Sequence, residues 1–415
     1  MTTDPNTSGP PPSEPLPPPG GPAEAVERSQ AHPGLPPSRP LQIFLLVALL
    51  ISGAAYVVDQ LTEFNTESTN TLARHPSSLR RRVANQSQFL TNTDLGRQAE
   101  ARKRYDDAVI NYRRALLGQD TAEGRLNLGG ALLNQGNPDM AFEQFKEALR
   151  LNPGLEDVYI AWGQALKRQG KLDEAEQVYQ DGLRYNSNFA QIHYHFALVL
   201  EQQQRTAQAA WHEAKLANQP QAAAKAAADA QLFGSDAVKH YAAAERLGMN
   251  TPEFWGSYGA LLNKQGKYPE AEACLETAVA QQPGLGAAQF QLAVALDRQG
   301  RYADAIGHYE ATLISIPDDV ATLNALALLY ATATNQQARS SKMAILLATR
   351  ACDATTSQNA RCLDTLARAY AADGDFLQAR DWEDKAVRRA TQLADHDLLR
   401  ELQPRFNLFL QHRTE

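Results

Sequence analysis

Beyond residue 89 the apolar positions fall three and four residues apart, the spacing that gathers side chains on one face of an α-helix. Ala141, Phe145 and Ala148 form one such stripe, and Ala175, Tyr179 and Gly182 repeat it. Strict alternation of apolar and polar residues, the mark of a half-buried strand, is nearly absent, so the body of the chain reads as all-α. The punctuation agrees with paired helices. Gly136, Gly170, Gly266 and Gly300 each follow a glutamine where a first helix should end, because glycine adopts the left-handed cap at least cost. Pro153, Pro283 and Pro317 then stop a second helix before the next pair begins, since proline lacks the amide donor that a helix interior needs.

The pairs recur at a fixed interval. A large residue followed by a small one appears at Leu95-Gly96, Leu128-Gly129, Trp162-Gly163, Phe196-Ala197, Tyr258-Gly259, Leu292-Ala293, Leu326-Ala327 and Leu366-Ala367, at spacings of 33, 34, 34, 62, 34, 34 and 40. Twelve residues after the small position an alanine returns in most units, at Ala108, Ala141, Ala175, Ala271, Ala305 and Ala379. This pattern resembles the tetratricopeptide repeat over residues 89–390. The resemblance implies a helix-turn-helix solenoid, a right-handed superhelix of about eight or nine units with a concave groove. The spacing of 62 reads as a shortened unit followed by a degenerate one near 218–251, and the spacing of 40 as a longer turn around TATNQQARSS. Residues 391–415 resemble the amphipathic helix that caps such arrays, with Leu398, Leu399, Leu402, Phe406 and Leu410 on its buried side.

Before the repeats the pattern changes twice. Residues 1–40 hold 13 of the 22 prolines and few bulky apolar residues, which predicts a disordered tail. Residues 41–58, LQIFLLVALLISGAAYVV, carry no charge and would span roughly 27 Å as a helix, near the thickness of a bilayer core, which predicts one transmembrane helix. Gly53-Ala54-Ala55 could mimic a signal-peptide cleavage site, but forty proline-rich residues make a poor leader. Arg28 and Arg39 precede the span, whereas Asp59, Glu63 and Glu67 follow it and the first basic residue beyond is Arg74. That places the N-terminus inside and the repeats outside the cytoplasm, although the cluster Arg80-Arg81-Arg82 pulls the other way. Residues 59–88, rich in Thr, Asn and Ser, read as a polar stalk.

Composition narrows the function. A net charge of −7 argues against broad binding to nucleic acid. Three cysteines are too few for a disulfide scaffold, and none stands in a C-x-x-C pair. Cys352 and Cys362 flank a short polar connection and could join if the repeats face an oxidising compartment. His193 and His195 are two apart, so a helix points them to different sides and they cannot easily share a metal. No phosphate-loop, zinc-protease, nucleophile-elbow or dinucleotide fingerprint is present. We therefore expect no catalytic residues, cofactor or metal.

One subset of the resembled family grips peptide C-termini with Lys and Asn. The matching positions here, Thr93, Arg97, Asn127, Asp157 and Ala161, offer only Arg97 and Asn127. The register of the first helices instead points Arg97, Asn134, Gln164, Arg168, Gln202, Asn263, Lys264 and Arg298 into the groove, a partly basic surface suited to a protein or peptide partner. The expectation is a non-enzymatic, membrane-anchored scaffold. The alternative is a tethering subunit of a membrane-bound glycan-synthesis or secretion machine.

Overall fold

The computed structural model describes residues 76–414 except 336, 337 and 394. The tail and the span at 41–58 lie outside the described residues. So does most of the stalk. Among the described residues no helix is long and apolar enough to cross a membrane.

The described chain is all-helical and folds as eight antiparallel pairs and a final helix. Unit one is α1 (Pro76–Ala101) with α2 (Tyr105–Gly118), and unit two is α3 (Ala122–Gln135) with α4 (Pro138–Leu151). Unit three pairs α5 (Glu156–Arg168) with α6 (Leu172–Tyr185). Unit four pairs α7 (Ala190–Leu216) with α8 (Pro220–Arg246). Units five to seven are α9 (Pro252–Lys264) with α10 (Tyr268–Gln281), α11 (Gly286–Arg298) with α12 (Tyr302–Ser315), and α13 (Val320–Thr332) with α14 (Ser341–Ala354). Unit eight is α15 (Ala360–Asp373) with α16 (Phe376–Gln392), and α17 (His396–Leu410) follows.

One contact recurs inside the pairs. The small residue of the first helix lies under the side chain sixteen positions later on the second. A Cβ built on Gly96, Gly129 or Gly163 would fall 2.5, 2.4 or 2.3 Å from the ring of Tyr112, Phe145 or Tyr179. On Gly259 it would fall 2.5 Å from Leu275 Cγ. The alanines four residues before these side chains, Ala108, Ala141, Ala175 and Ala271, are all fully buried. Gly136 closes α3 at a φ of 90°, in open space where only the backbone conformation calls for glycine.

Three expectations need correction. The stalk does not run to residue 88, because α1 already begins at Pro76 and continues into the first repeat. No glycine or further proline interrupts residues 77–95, so nothing stops that helix. Residues 218–251 are not a unit of their own. Pro220–Arg246 is one unbroken helix of 27 residues packed along another of 27, where the helices of units two, three, five, six and seven run to 13 or 14. The 28 additional residues are therefore shared by both arms of one hairpin, lengthening each by on the order of 20 Å. Alanine-rich sequence favours this continuity. Asn218, at a φ of 53°, turns the chain at the tip, and Pro220 starts the return helix.

The third correction concerns α17. Its buried residues are Leu398, Leu402 and Phe409, while Phe406 is half-buried and Leu410 is 49% exposed. The inward stripe shifts by one position because Arg405 belongs to it. Arg405 forms an ion pair with Asp364 of α15 and stands 3.8 Å from Glu383 of α16. Glu383, fully buried, occupies the position held by Tyr112, Phe145, Tyr179, Tyr241 and Tyr309 in other units. Burial and then the neighbouring charge of Asp364 push its carboxyl up to about 9.

Two predictions test this packing. Gly163→Leu should destabilise the array by roughly 1–3 kcal/mol through overpacking against Tyr179. Gly130→Ala, in a helix with nothing within 4 Å of the new Cβ, should be neutral or slightly stabilising by comparison; denaturant titration followed by circular dichroism compares them. The second concerns Glu383. Its folded-state value lies above its ordinary one, so its contribution is complete below about 4.5 and is lost as pH rises towards 9. The melting temperature of the native chain should therefore fall relative to Glu383→Gln between those limits, by at least about 2 °C.

Candidate functional site

Of the eight residues expected in the groove, three line one cavity. Gln164 and Arg168 of α5 and Gln202 of α7 line a single cavity of about 590 Å³ between units three and four. Lys167, His195 and Thr206 complete its polar wall, and no acidic side chain lines it. The Gln164 side-chain amide lies 3.2 Å from His195 Nε2. Burial and then the charge of Lys167 lower His195 to about 4, which keeps its ring neutral at pH 7. Burial also lowers Lys167, with Arg205 adding to the effect. The cavity thus holds a half-desolvated ammonium, an exposed guanidinium and neutral hydrogen-bonding groups. A carboxylate is the chemical complement of that set.

The other five positions diverge. Arg97 is exposed and stands 3.7 Å from Asp94, and Asn134 and Arg298 are exposed outside the cavity. Asn263 is buried rather than groove-facing, because its amide donates to the Gln291 carbonyl at 2.8 Å and to its side-chain oxygen at 3.2 Å. Lys264 lies 3.7 Å from Glu201, a buried carboxylate that accepts the Tyr241 hydroxyl at 2.5 Å. Lys167 and His195 were missed as groove residues. The signal for Lys167 was its place beside Arg168 at the end of α5; His195 gave none, since its role depends on the neighbouring unit.

A second recess, of about 480 Å³ and lined more by apolar side chains, follows at units five to seven. Gly256, Ala260 and Ala287 open it, Phe290 forms part of its wall, and Glu253 and Asp319 also line it. Asp319 is already engaged, since it caps α13 through the Thr322 amide at 2.8 Å.

The histidines separate as their spacing requires. His193 Nδ1 faces His240 Nδ1 at 2.8 Å on the other arm of the hairpin, while His195 faces the cavity. Among the described residues no group of three or more His, Cys, Asp or Glu converges on a metal position. Cys352 and Cys362, which could join in an oxidising compartment, are unbonded in this structure. Both thiols are free and buried, and burial pushes them up to about 12 and 11, away from the thiolate that exchange requires.

The long hairpin reaches across the array. Lys215, near its tip, places Nζ 3.1 Å from Asp397 of α17, although 182 residues separate them. Trp211 packs on the same ammonium at 4.6 Å, and Arg400 also engages Asp397. Lys215→Glu should therefore lengthen the distance between spin labels on the hairpin tip and α17, and adding Asp397→Lys should restore it. Pulsed electron resonance measures the difference.

Family models described as tetratricopeptide repeat match residues 93–156 and 259–320, residues 132–199, and residues 359–397, together half of the chain. Solved structures with a similar fold include the repeat protein TTC0263 of Thermus thermophilus. It is 18% identical, covers 49% of this chain and 95% of its own, and has a TM-score of 0.36. PilF of Pseudomonas aeruginosa is 14% identical over 59% of this chain and 99% of its own, with a TM-score of 0.45. A repeat protein of Parabacteroides merdae is 15% identical over 70% and 98%, with a TM-score of 0.40. No curated protein sequence matches the chain.

Proposed function

The chain belongs to the tetratricopeptide repeat family, and we propose that it is a non-enzymatic scaffold that holds an acidic, extended peptide segment of a partner protein at a membrane. A repeat scaffold of this kind is suited to protein–protein interaction. The observation that carries the finer reading is the cavity between units three and four. Lys167 and Arg168 stand there with a neutral His195–Gln164 pair and no acidic lining residue, so a carboxylate entering it meets two cations, with Glu201 beyond the wall as the nearby anion. The uncharged run at 41–58 supports the membrane anchor. The charges flanking it favour repeats on the extracytoplasmic side.

A fluorescent glutamate-rich peptide should bind the full chain in detergent and lose affinity as salt rises. Lys167→Glu with Arg168→Glu should weaken it by about tenfold or more, in line with reversing charges in a partly desolvated contact. Arg298→Glu, outside the cavity, should leave it nearly unchanged. Equal losses in both variants would place the binding elsewhere. For the anchor, alkaline carbonate should leave the full chain in the membrane fraction; its release would remove that part of the reading.

A further inference from the structure

The first unit differs electrically from the rest of the array. Residues 76–118 carry nine Lys and Arg against four Asp and Glu, in a chain whose net charge is −7. Part of this excess sits on one face of α2. Ile110, Arg113, Arg114 and Leu117 are spaced three and four apart and border one cavity of about 560 Å³ with Arg125 and Gln144. Arg125 is committed to Asp120 and Gln144, which leaves the exposed Arg113 and Arg114 as the cations of the patch. Leu117 is 82% exposed and Ile110 47% exposed. Such side chains beside arginines have no use for water. Asn85 of α1 borders this face, since its carbonyl oxygen lies 2.6 Å from a Cβ built on Gly118, next to Leu117.

We propose that this face of α2 seats unit one on the surface of an anionic lipid bilayer. Guanidinium groups meet headgroup phosphates, and Leu117 and Ile110 enter the boundary between headgroups and acyl chains, the arrangement by which amphipathic helices lie on membranes. The occupant is argued from charge complementarity and from reach. Between Val58, the last residue of the uncharged run, and Pro76, where α1 begins, the chain can extend at most about 60 Å. A unit tethered that closely to an inserted span meets lipid more often than any soluble partner. This reach argument rests on the anchor reading above, whereas the patch itself does not.

The test uses the full chain with an environment-sensitive fluorophore on Gln119→Cys, the native cysteines being buried. The protein is placed in nanodiscs of phosphatidylcholine alone or with phosphatidylglycerol, each carrying headgroup-depth nitroxide quenchers. Quenching should be stronger with phosphatidylglycerol and weaken as salt shortens the screening length to about 10 Å at 0.1 M. Arg113→Glu with Arg114→Glu should bring it down to the phosphatidylcholine level, and Leu117→Ser should reduce it. Equal quenching in both bilayers, or no effect of the variants, overturns the proposal. A probe that responds to soluble polyglutamate but not to phosphatidylglycerol overturns it in favour of an acidic protein surface. If carbonate releases the chain, the anchor reading fails by itself, and flotation with phosphatidylglycerol vesicles decides the patch. Flotation lost in the double arginine variant supports the proposal, and no flotation of the native chain ends it.

Discussion

In the first three pairs the close approach of the two helices rests on a ring lying where a Cβ would otherwise be. Gly163 and Tyr179 show the constraint most sharply, at 2.3 Å between the absent Cβ and the ring. Removing one methyl group from the first helix lets the second approach, and the aromatic then fills the space between neighbouring pairs. Where the small residue is alanine, as at Ala293 beneath the Tyr309 unit, the partner remains fully buried. The contact thus sets the geometry of a unit, and stacking of units follows from it, since each pair leaves an apolar face for the next.

The last unit departs from this rule at the ring position. Glu383 stands there, fully buried, facing Asp364 of α15 and Arg405 of α17. A buried carboxylate is costly unless matched; Glu383 answers by keeping its proton, its carboxyl being raised to about 9, while Arg405 pairs with the neighbouring Asp364. An apolar ring in that position would accept any apolar helix in several registers. The Arg405–Asp364 ion pair accepts one, the stripe Leu398, Leu402, Arg405 and Phe409, in which Arg405 displaces a more apolar face.

Sequence periodicity revealed much of the architecture, because the small residue, the alanine twelve later and the glycine cap are all local and recur. It failed where a long-range choice decided the outcome. The spacing of 62 is compatible with an additional unit or a longer hairpin, and only the unbroken packing of α7 on α8 separates the two. Three of the eight groove residues converge because their positions are shared by adjacent first helices. Asn263 does not, because its neighbour Gln291 claims its amide, a fact invisible in one unit's register. Lys167 and His195 were hidden for the same reason: each gains its meaning from the next unit.

The long hairpin changes what the groove can be. An open solenoid lets a partner enter sideways along its whole length. Here α7 leaves unit four and meets α17 through Lys215 and Asp397, so units five to eight are bracketed between two ends of the same tie. Both side chains are partly exposed, and such an ion pair is screened by salt and easily exchanged for water. A weak tie of this sort adds little to a stack that the apolar contacts between units already hold together. It can hold the tip of the hairpin against α17 without bearing on the stability of the array, since the gain of an exposed pair is nearly cancelled by screening and side-chain entropy.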